Sequence, residues 1–96
     1  MEIAKTILEQ LGGNKFMVMT GAYWPMSCNN GLSIRLRTRS PYPNHVQISL
    51  NNRDTYDVTF NRLHGLKCKE VSKHEDIYCD SLVELFEKET GLRTSL

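Results

Sequence analysis

Cysteine is scarce in this 96-residue chain, and the sequence contains no CxxC pair. The three cysteines (Cys28, Cys68 and Cys79) are an odd number, which argues against a disulfide framework and favours a reducing compartment. No apolar run reaches the length of a signal-peptide core or of a membrane span. We therefore predict a cytoplasmic protein that does not enter a membrane.

A strong net charge is lacking as well, since the formal charge is +1 at pH 7. Its distribution is uneven: residues 1–50 carry five Lys or Arg against two acids, and residues 75–90 carry six acids against one lysine. We find no internal repeat, linker or low-complexity segment in the sequence. The length and the ordinary hydrophobic content of 40% predict one domain over residues 1–96 with a single modest core.

Between residues 31 and 50, two runs alternate apolar with polar residues. The apolar members are Leu32, Ile34 and Leu36 in the first run and Val46, Ile48 and Leu50 in the second. Alternation with a period of two is typical of half-buried strands. Pro41 and Pro43 lie between the runs and favour a connecting loop. The runs therefore predict antiparallel neighbours with apolar residues on one face and arginines on the other.

Helical spacing of apolar residues predicts helices over residues 2–11 and over Asp76–Thr90, which end at Gly12–Gly13 and at Gly91. Residues 21–30 are predicted to form a loop. Further strands are predicted at three places: residues 16–20, 56–61 and 66–71. Together these elements predict an α+β fold, an antiparallel sheet of four to five strands flanked by an N-terminal and a C-terminal helix.

The polar face of the predicted sheet is basic. Arg35, Arg37 and Arg39 are candidates for binding nucleic acid, because arginine binds phosphate with two parallel hydrogen bonds. The aromatic residues that a single-strand reader interleaves with its basic residues are missing from the predicted face. Two alternatives stay open: an acidic protein partner, or a solvated face whose charges prevent edge-to-edge aggregation.

Two other features are candidates for binding a protein. Trp24 lies in the predicted loop, where an exposed tryptophan can anchor an interface or can fold down as a lid on the sheet edge. Four carboxylates form an acidic stripe on the predicted C-terminal helix, suited to a basic groove or to plain solvation. They are Asp76, Asp80, Glu84 and Glu87. An uncovered edge or apolar patch also leaves a homodimer as an open alternative.

Possible zinc ligands are concentrated within sixteen positions of the second half of the chain. They are His64, Cys68, His74 and Cys79. Their spacing is just admissible for zinc, but Cys79 falls on the apolar face of the predicted helix, where cysteine behaves as a small hydrophobe. A Cys/His nucleophilic pair lacks an orienting third group. We therefore predict no metal, no cofactor and no catalytic residues. The sequence does not determine whether the four residues come together.

The segment ILEQLGGNKFMVMTGA at residues 7–22 resembles a family of small proteins encoded by bacteriophages and other bacterial mobile elements. Residues 31–33, 54–58 and 90–96 are similar to that family as well. The resemblance implies a setting, the cytoplasm of a bacterial or phage-infected cell, and it implies no activity. We expect a small non-enzymatic accessory protein that binds a host or element protein stoichiometrically. The alternative is direct nucleic-acid binding through the basic sheet face.

Overall fold

The sheet of this protein is a simple antiparallel meander with the strand order β1-β2-β3-β4-β5. A computed structural model describes residues 2–28, 30–38 and 42–92. Its elements are α1 (Glu2–Leu11), α2 (Gly13–Thr20), β1 (Tyr23–Cys28), β2 (Gly31–Arg35), β3 (His45–Leu50), β4 (Tyr56–His64), β5 (Lys67–Ile77), a 3-10 turn (Cys79–Ser81) and α3 (Leu82–Thr90). The predicted α+β fold is confirmed, and the sheet has five strands.

The two alternating runs form neighbouring strands, as predicted. Leu32 on β2 lies opposite Ile48 on β3, which lies opposite Val58 on β4, so apolar side chains stack across the sheet on one face. The β2–β3 contact is close at Gly31, where an added Cβ atom would lie 2.0 Å from the carbonyl oxygen of Ile48. Only glycine fits there, because any side chain would push the two strands apart.

The helices α1, α2 and α3 contribute to the core on the apolar face of the sheet. Ile7 and Leu11 on α1, Phe16 on α2 and Phe86 on α3 belong to the same buried cluster as the inward residues of β2, β3 and β4. The predicted helix over residues 2–11 is confirmed. The opposite face of the sheet, which we call the outer face, is not covered by any helix of the described residues.

The prediction of a strand over residues 16–20 is wrong, because α2 occupies this segment. Gly12 has a φ of 126°, and its N–H donates to the carbonyl oxygen of Glu9. The chain therefore turns at Gly12 and starts a second helix instead of a strand. Phe16 and Thr20 are buried one helical turn apart, whereas Val18 between them is 76% exposed. A strand would have placed all three on one face.

α2 and α3 end in the same way, with a short sequence pattern that was not among the predicted features. Each carries the pattern Phe-x3-Thr-Gly, at residues 16–21 and 86–91. In both, the threonine hydroxyl donates to the carbonyl oxygen of the phenylalanine at 2.7 Å and accepts from the N–H two residues on at 3.2 Å. The following glycine has a left-handed backbone. The two phenylalanine rings contact each other edge to face, with centroids 4.9 Å apart.

The C-terminal helix is shorter than predicted, because β5 extends through Ile77 and the α-helix begins only at Leu82. The predicted strand over residues 66–71 is therefore real and continues further along the chain. It has a β-bulge near its middle, between Glu70 and Ser72, and a second irregularity near Asp76, whose φ is 57°. The second irregularity interrupts the alternation of apolar and polar residues at the end of β5, where the sequence pattern indicated the start of a helix.

Candidate functional site: an arginine–aromatic corner on the open sheet face

The prediction of a loop over residues 21–30 is wrong, because Tyr23–Cys28 forms the edge strand β1. Asn30 has a φ of 53°, a left-handed conformation that asparagine tolerates, and the chain returns at Gly31 opposite Cys28. The register shifts between Tyr23 and Met26, around Pro25. Proline is tolerated at such a bulge on an edge strand, so its presence did not exclude a strand.

The edge strand places two aromatic rings beside two arginines of the outer face. Tyr23 lies opposite Arg35 in the β1–β2 register. The guanidinium carbon of Arg37 lies 4.4 Å from the ring centroid of Tyr23, and that of Arg35 lies 5.8 Å from the Trp24 ring. The two rings are 5.8 Å apart and tilted by 53°. We call these four residues the arginine–aromatic corner.

The distances between the guanidinium groups and the rings of the corner are typical of cation–π contacts. Trp24 is 65% exposed although Arg35 lies over its ring, and the neighbouring Met26 is 60% exposed. Trp24 is therefore not folded down as a lid on the sheet edge: most of its surface is open, and its ring lies beside Arg35 of the outer face. Flat π-surfaces next to guanidinium groups can stack against further planar groups.

No acidic residue neutralises this part of the sheet. The sequence has no Asp or Glu between Glu9 and Asp54, so β1, β2 and β3 are free of carboxylates. The ion pairs in residues 2–28, 30–38 and 42–92 join Arg53 to Asp76 at 2.9 Å and His74 to Glu89 at 2.7 Å, and neither involves the corner. The Nε atom of Arg35 is buried without a hydrogen-bond acceptor among the described residues.

A row of polar residues crosses the sheet at the corner, from Tyr23 through Arg35, His45 and Asn61 to Glu70. The amide nitrogen Nδ2 of Asn61 lies 3.1 Å from Nδ1 of His45. Burial, and to a lesser extent the positive charge of Arg35, lowers the pKa of His45 below its usual value. His45 is therefore held as the neutral ring at neutral pH.

The structure places two of the three predicted nucleic-acid-binding arginines. Arg35 and Arg37 both lie at the corner, while Arg39 lies outside the described residues. Sequence reasoning placed Tyr23 and Trp24 in a loop and so concluded that the basic face lacked aromatic residues. That conclusion is wrong. The two asparagines that precede Gly31 in the sequence favour a turn and would have indicated that the aromatic segment pairs with β2.

The predicted acidic stripe does not form as a line of four. Asp76 lies on β5, where its Oδ1 accepts hydrogen bonds from Asn51 and Thr55 and pairs with Arg53. Asp80 lies in the 3-10 turn that precedes α3. Only Glu84 and Glu87 remain on the helix, one exposed and the other half-buried. This result weakens the idea of a phosphate-like row of charges on α3.

The four possible zinc ligands do not come together. His64 lies opposite Lys67 at the β4–β5 turn, next to the Cys68–Leu63 pair, whereas His74 lies opposite Val58, well along β5. His74 contacts Glu89 on α3, and Cys79 is exposed in the 3-10 turn. In the part of the chain that the structure describes, no group of three or more His, Cys, Asp or Glu residues is arranged to hold a metal ion.

No family model, curated protein or solved structure matches this chain. The similarity to phage-encoded proteins therefore stays a prediction. No helix among the described residues is long and apolar enough to cross a membrane.

Proposed function

We propose that this chain is a small non-enzymatic protein that binds single-stranded nucleic acid on its outer sheet face, at the arginine–aromatic corner. The observation that carries the proposal is the pairing of Arg35 with Trp24 and of Arg37 with Tyr23 on an uncovered face that has no carboxylate partner. The proposal includes stoichiometric binding as its mode of action. The sequence favoured a protein partner over nucleic acid, and the proposal prefers nucleic acid. The reason is that the acidic stripe does not form, whereas aromatic residues lie beside the arginines of the sheet.

The chemistry of the corner fits both parts of a nucleotide. A guanidinium group donates parallel hydrogen bonds to phosphate oxygens, and a base stacks on an exposed aromatic ring. Stacking of this kind contributes about 1–3 kcal/mol per base. Trp24 offers the larger open surface, since it is 65% exposed.

A single strand fits the corner better than a duplex does. The outer face is an open sheet, and its three carboxylate-free strands span about 10 Å at a spacing of about 4.8 Å, enough for two or three unstacked bases. Bases within a duplex are already stacked and cannot reach a flat aromatic surface. Strands β4 and β5 carry carboxylates, such as Asp57 and Glu70, so the region without negative charge ends at β3.

A setting in the cytoplasm of a bacterial or phage-infected cell is part of the proposal. Cys68 and Cys79 are free and exposed, which suits a reducing compartment. Single-stranded nucleic acid is accessible in that compartment during replication and transcription. An acidic protein surface is the competing partner, because carboxylates also pair with arginine.

The chain carries its own reporter for this test. Trp24 is the only tryptophan, so its fluorescence reports on the corner alone. We expect single-stranded DNA or RNA octamers to quench it saturably, and a duplex of the same sequence to bind more weakly. Trp24→Leu should weaken binding about 5- to 150-fold. Because this variant lacks the tryptophan, its binding is measured by the fluorescence anisotropy of a labelled octamer.

Arg37 is tested through the salt dependence of binding. Each phosphate contact on a single strand contributes about −0.7 to the slope of log K against log salt. Arg37→Gln should therefore lower affinity and make the slope shallower by about 0.7. Arg53→Gln is the matched control, because it removes the same charge at a residue that is paired with Asp76. Octamers that fail to bind, or that respond equally to both changes, would overturn the proposal; an acidic peptide that displaces a bound octamer would indicate the protein partner instead.

A further inference from the structure

We infer that Arg35 and His45 form a base-reading pair that selects guanine over adenine. The inference rests on the proposed binding of single-stranded nucleic acid and adds the preferred base. Arg35 on β2 and His45 on β3 are direct neighbours in the antiparallel register, and both belong to the polar row of the outer face. The row begins at Tyr23, one strand away from Arg35, so a base that stacks at the corner lies on the same face of the sheet as this pair.

The hydrogen bond from Asn61 fixes what His45 can offer. An amide nitrogen only donates, so Nδ1 of His45 must accept at this 3.1 Å contact. The proton of the neutral ring then lies on Nε2, which is a donor. The lowered pKa of His45, caused first by burial and then by Arg35, keeps the ring in this neutral form at pH 7. The charged or titratable groups of the same row are Tyr23, Arg35 and, beyond Asn61, Glu70.

Arg35 adds further donors and no acceptor. Its guanidinium forms no ion pair with any residue in the described ranges, and its buried Nε atom has no acceptor among them. A buried polar group without a partner is uncommon in a native protein, and a bound water or ion is one recognised explanation. The pair therefore presents donors alone to a ligand, in a part of the sheet without carboxylates.

A surface that offers only hydrogen-bond donors discriminates between nucleobases. Guanine presents two acceptors, O6 and N7, on one edge. Adenine presents N7 beside an amino donor, and cytosine also presents an amino donor, so each would place a donor against a donor. Uracil and thymine offer a single acceptor on that edge. Among the four bases, guanine is therefore the best match to Arg35 and His45.

The experiment uses uridine octamers that carry one central guanosine, adenosine or 7-deazaguanosine, with Trp24 fluorescence as the readout. We expect the guanosine octamer to bind most tightly, and the other two to bind about tenfold more weakly. The 7-deaza base keeps the shape and O6 of guanine and lacks only N7. Equal affinity for guanosine and 7-deazaguanosine would overturn the use of the N7 edge, and equal affinity for guanosine and adenosine would overturn the inference.

Substitutions assign the preference to the pair. His45→Gln introduces an amide that both donates and accepts and that matches adenine, so the ratio of the two dissociation constants should move toward one. Arg35→Lys keeps the charge and loses the planar fork, so the preference should fall more than the overall affinity. Lys73→Gln is the control on the same face, opposite Thr59, and should weaken all octamers by the same factor. Failure of every octamer to bind would overturn the proposed function itself, whereas binding without base preference would overturn only the base-reading pair.

Discussion

Alanine substitutions at Phe16 and Val18 should have very different effects on stability, because α2 buries one residue and exposes the other. Phe16 is 0% exposed and packs edge to face on Phe86, while Val18 is 76% exposed two positions later. A strand, which the apolar run at residues 16–20 predicted, would have buried both on one face. The pair of substitutions therefore tests the helix directly.

The expected magnitudes follow from burial. Phe16→Ala should cost about 3–5 kcal/mol of unfolding free energy, as for other buried phenylalanines. For 96 residues the whole free energy of unfolding is about 5–14 kcal/mol, so this variant is close to unfolding. Val18→Ala should stay within about 0.5 kcal/mol of the parent, and it can stabilise slightly because alanine has the higher helix propensity.

Urea unfolding followed by circular dichroism measures both effects. With a slope of about 2 kcal/mol per molar urea, Phe16→Ala should lower the midpoint by about 2 M. Phe16→Leu is a milder variant that keeps the protein folded, and its cycle with Phe86→Leu isolates the ring contact, worth about 0.5–1.5 kcal/mol. A loss of about 1.5–3 kcal/mol at Val18, the value for a buried valine, would refute the helix.

Three further outcomes are expected. Thr20→Val should cost about 1–3 kcal/mol in urea unfolding, because the N–H of Ala22 loses its acceptor, and Thr20→Ser should restore most of it; equal loss in both variants would contradict this reason. Gly31→Ala should cost about 3 kcal/mol, since its Cβ would meet a backbone oxygen of β3, and an unchanged urea midpoint would contradict that close approach. The stability of the parent should fall as the pH drops below 6.5, because unfolded His45 takes up a proton before folded His45, whose pKa is lowered; His45→Gln should reduce this fall between pH 7.5 and 5.5, and an identical fall would show that other groups cause it.

The sheet was predictable from the sequence because β2, β3 and β4 each have one wet and one buried face. Within each strand apolar residues recur at every second position with polar residues between them, as at Leu32 and Ile34 or at Val46 and Ile48, and this pattern determines which side of the strand is buried. The apolar run before them carries no such signal. Phe16–Thr20 has apolar residues at successive positions, so its period is ambiguous, and the choice of helix depends on the turn at Gly12 and on the contact with Phe86.

Half of the candidate site was predictable for a related reason. Arg35 and Arg37 follow the alternation of β2, so their place on the outer face could be read from the sequence. Tyr23 and Trp24 could not be placed, because Pro25 and the bulge remove the alternation from β1. The hydrogen bond between Asn61 and His45 joins two neighbouring strands. The sequence pattern predicts that these strands are neighbours, but it does not predict contacts between individual side chains.

The two edges of the sheet differ in a way that bears on the purpose of the corner. β5 is the edge that charge protects from aggregation: it is almost entirely exposed and carries lysines and carboxylates along its length. β1, the other edge, has no charged residue and exposes Trp24 and Met26, and its protective features are Pro25 and the bulge around it. If the outer-face arginines served only to prevent aggregation, they would be needed on β1 itself. They lie on or just after β2 and contact the aromatic residues of the edge strand, an arrangement that fits the proposed stacking of a ligand better than it fits edge protection.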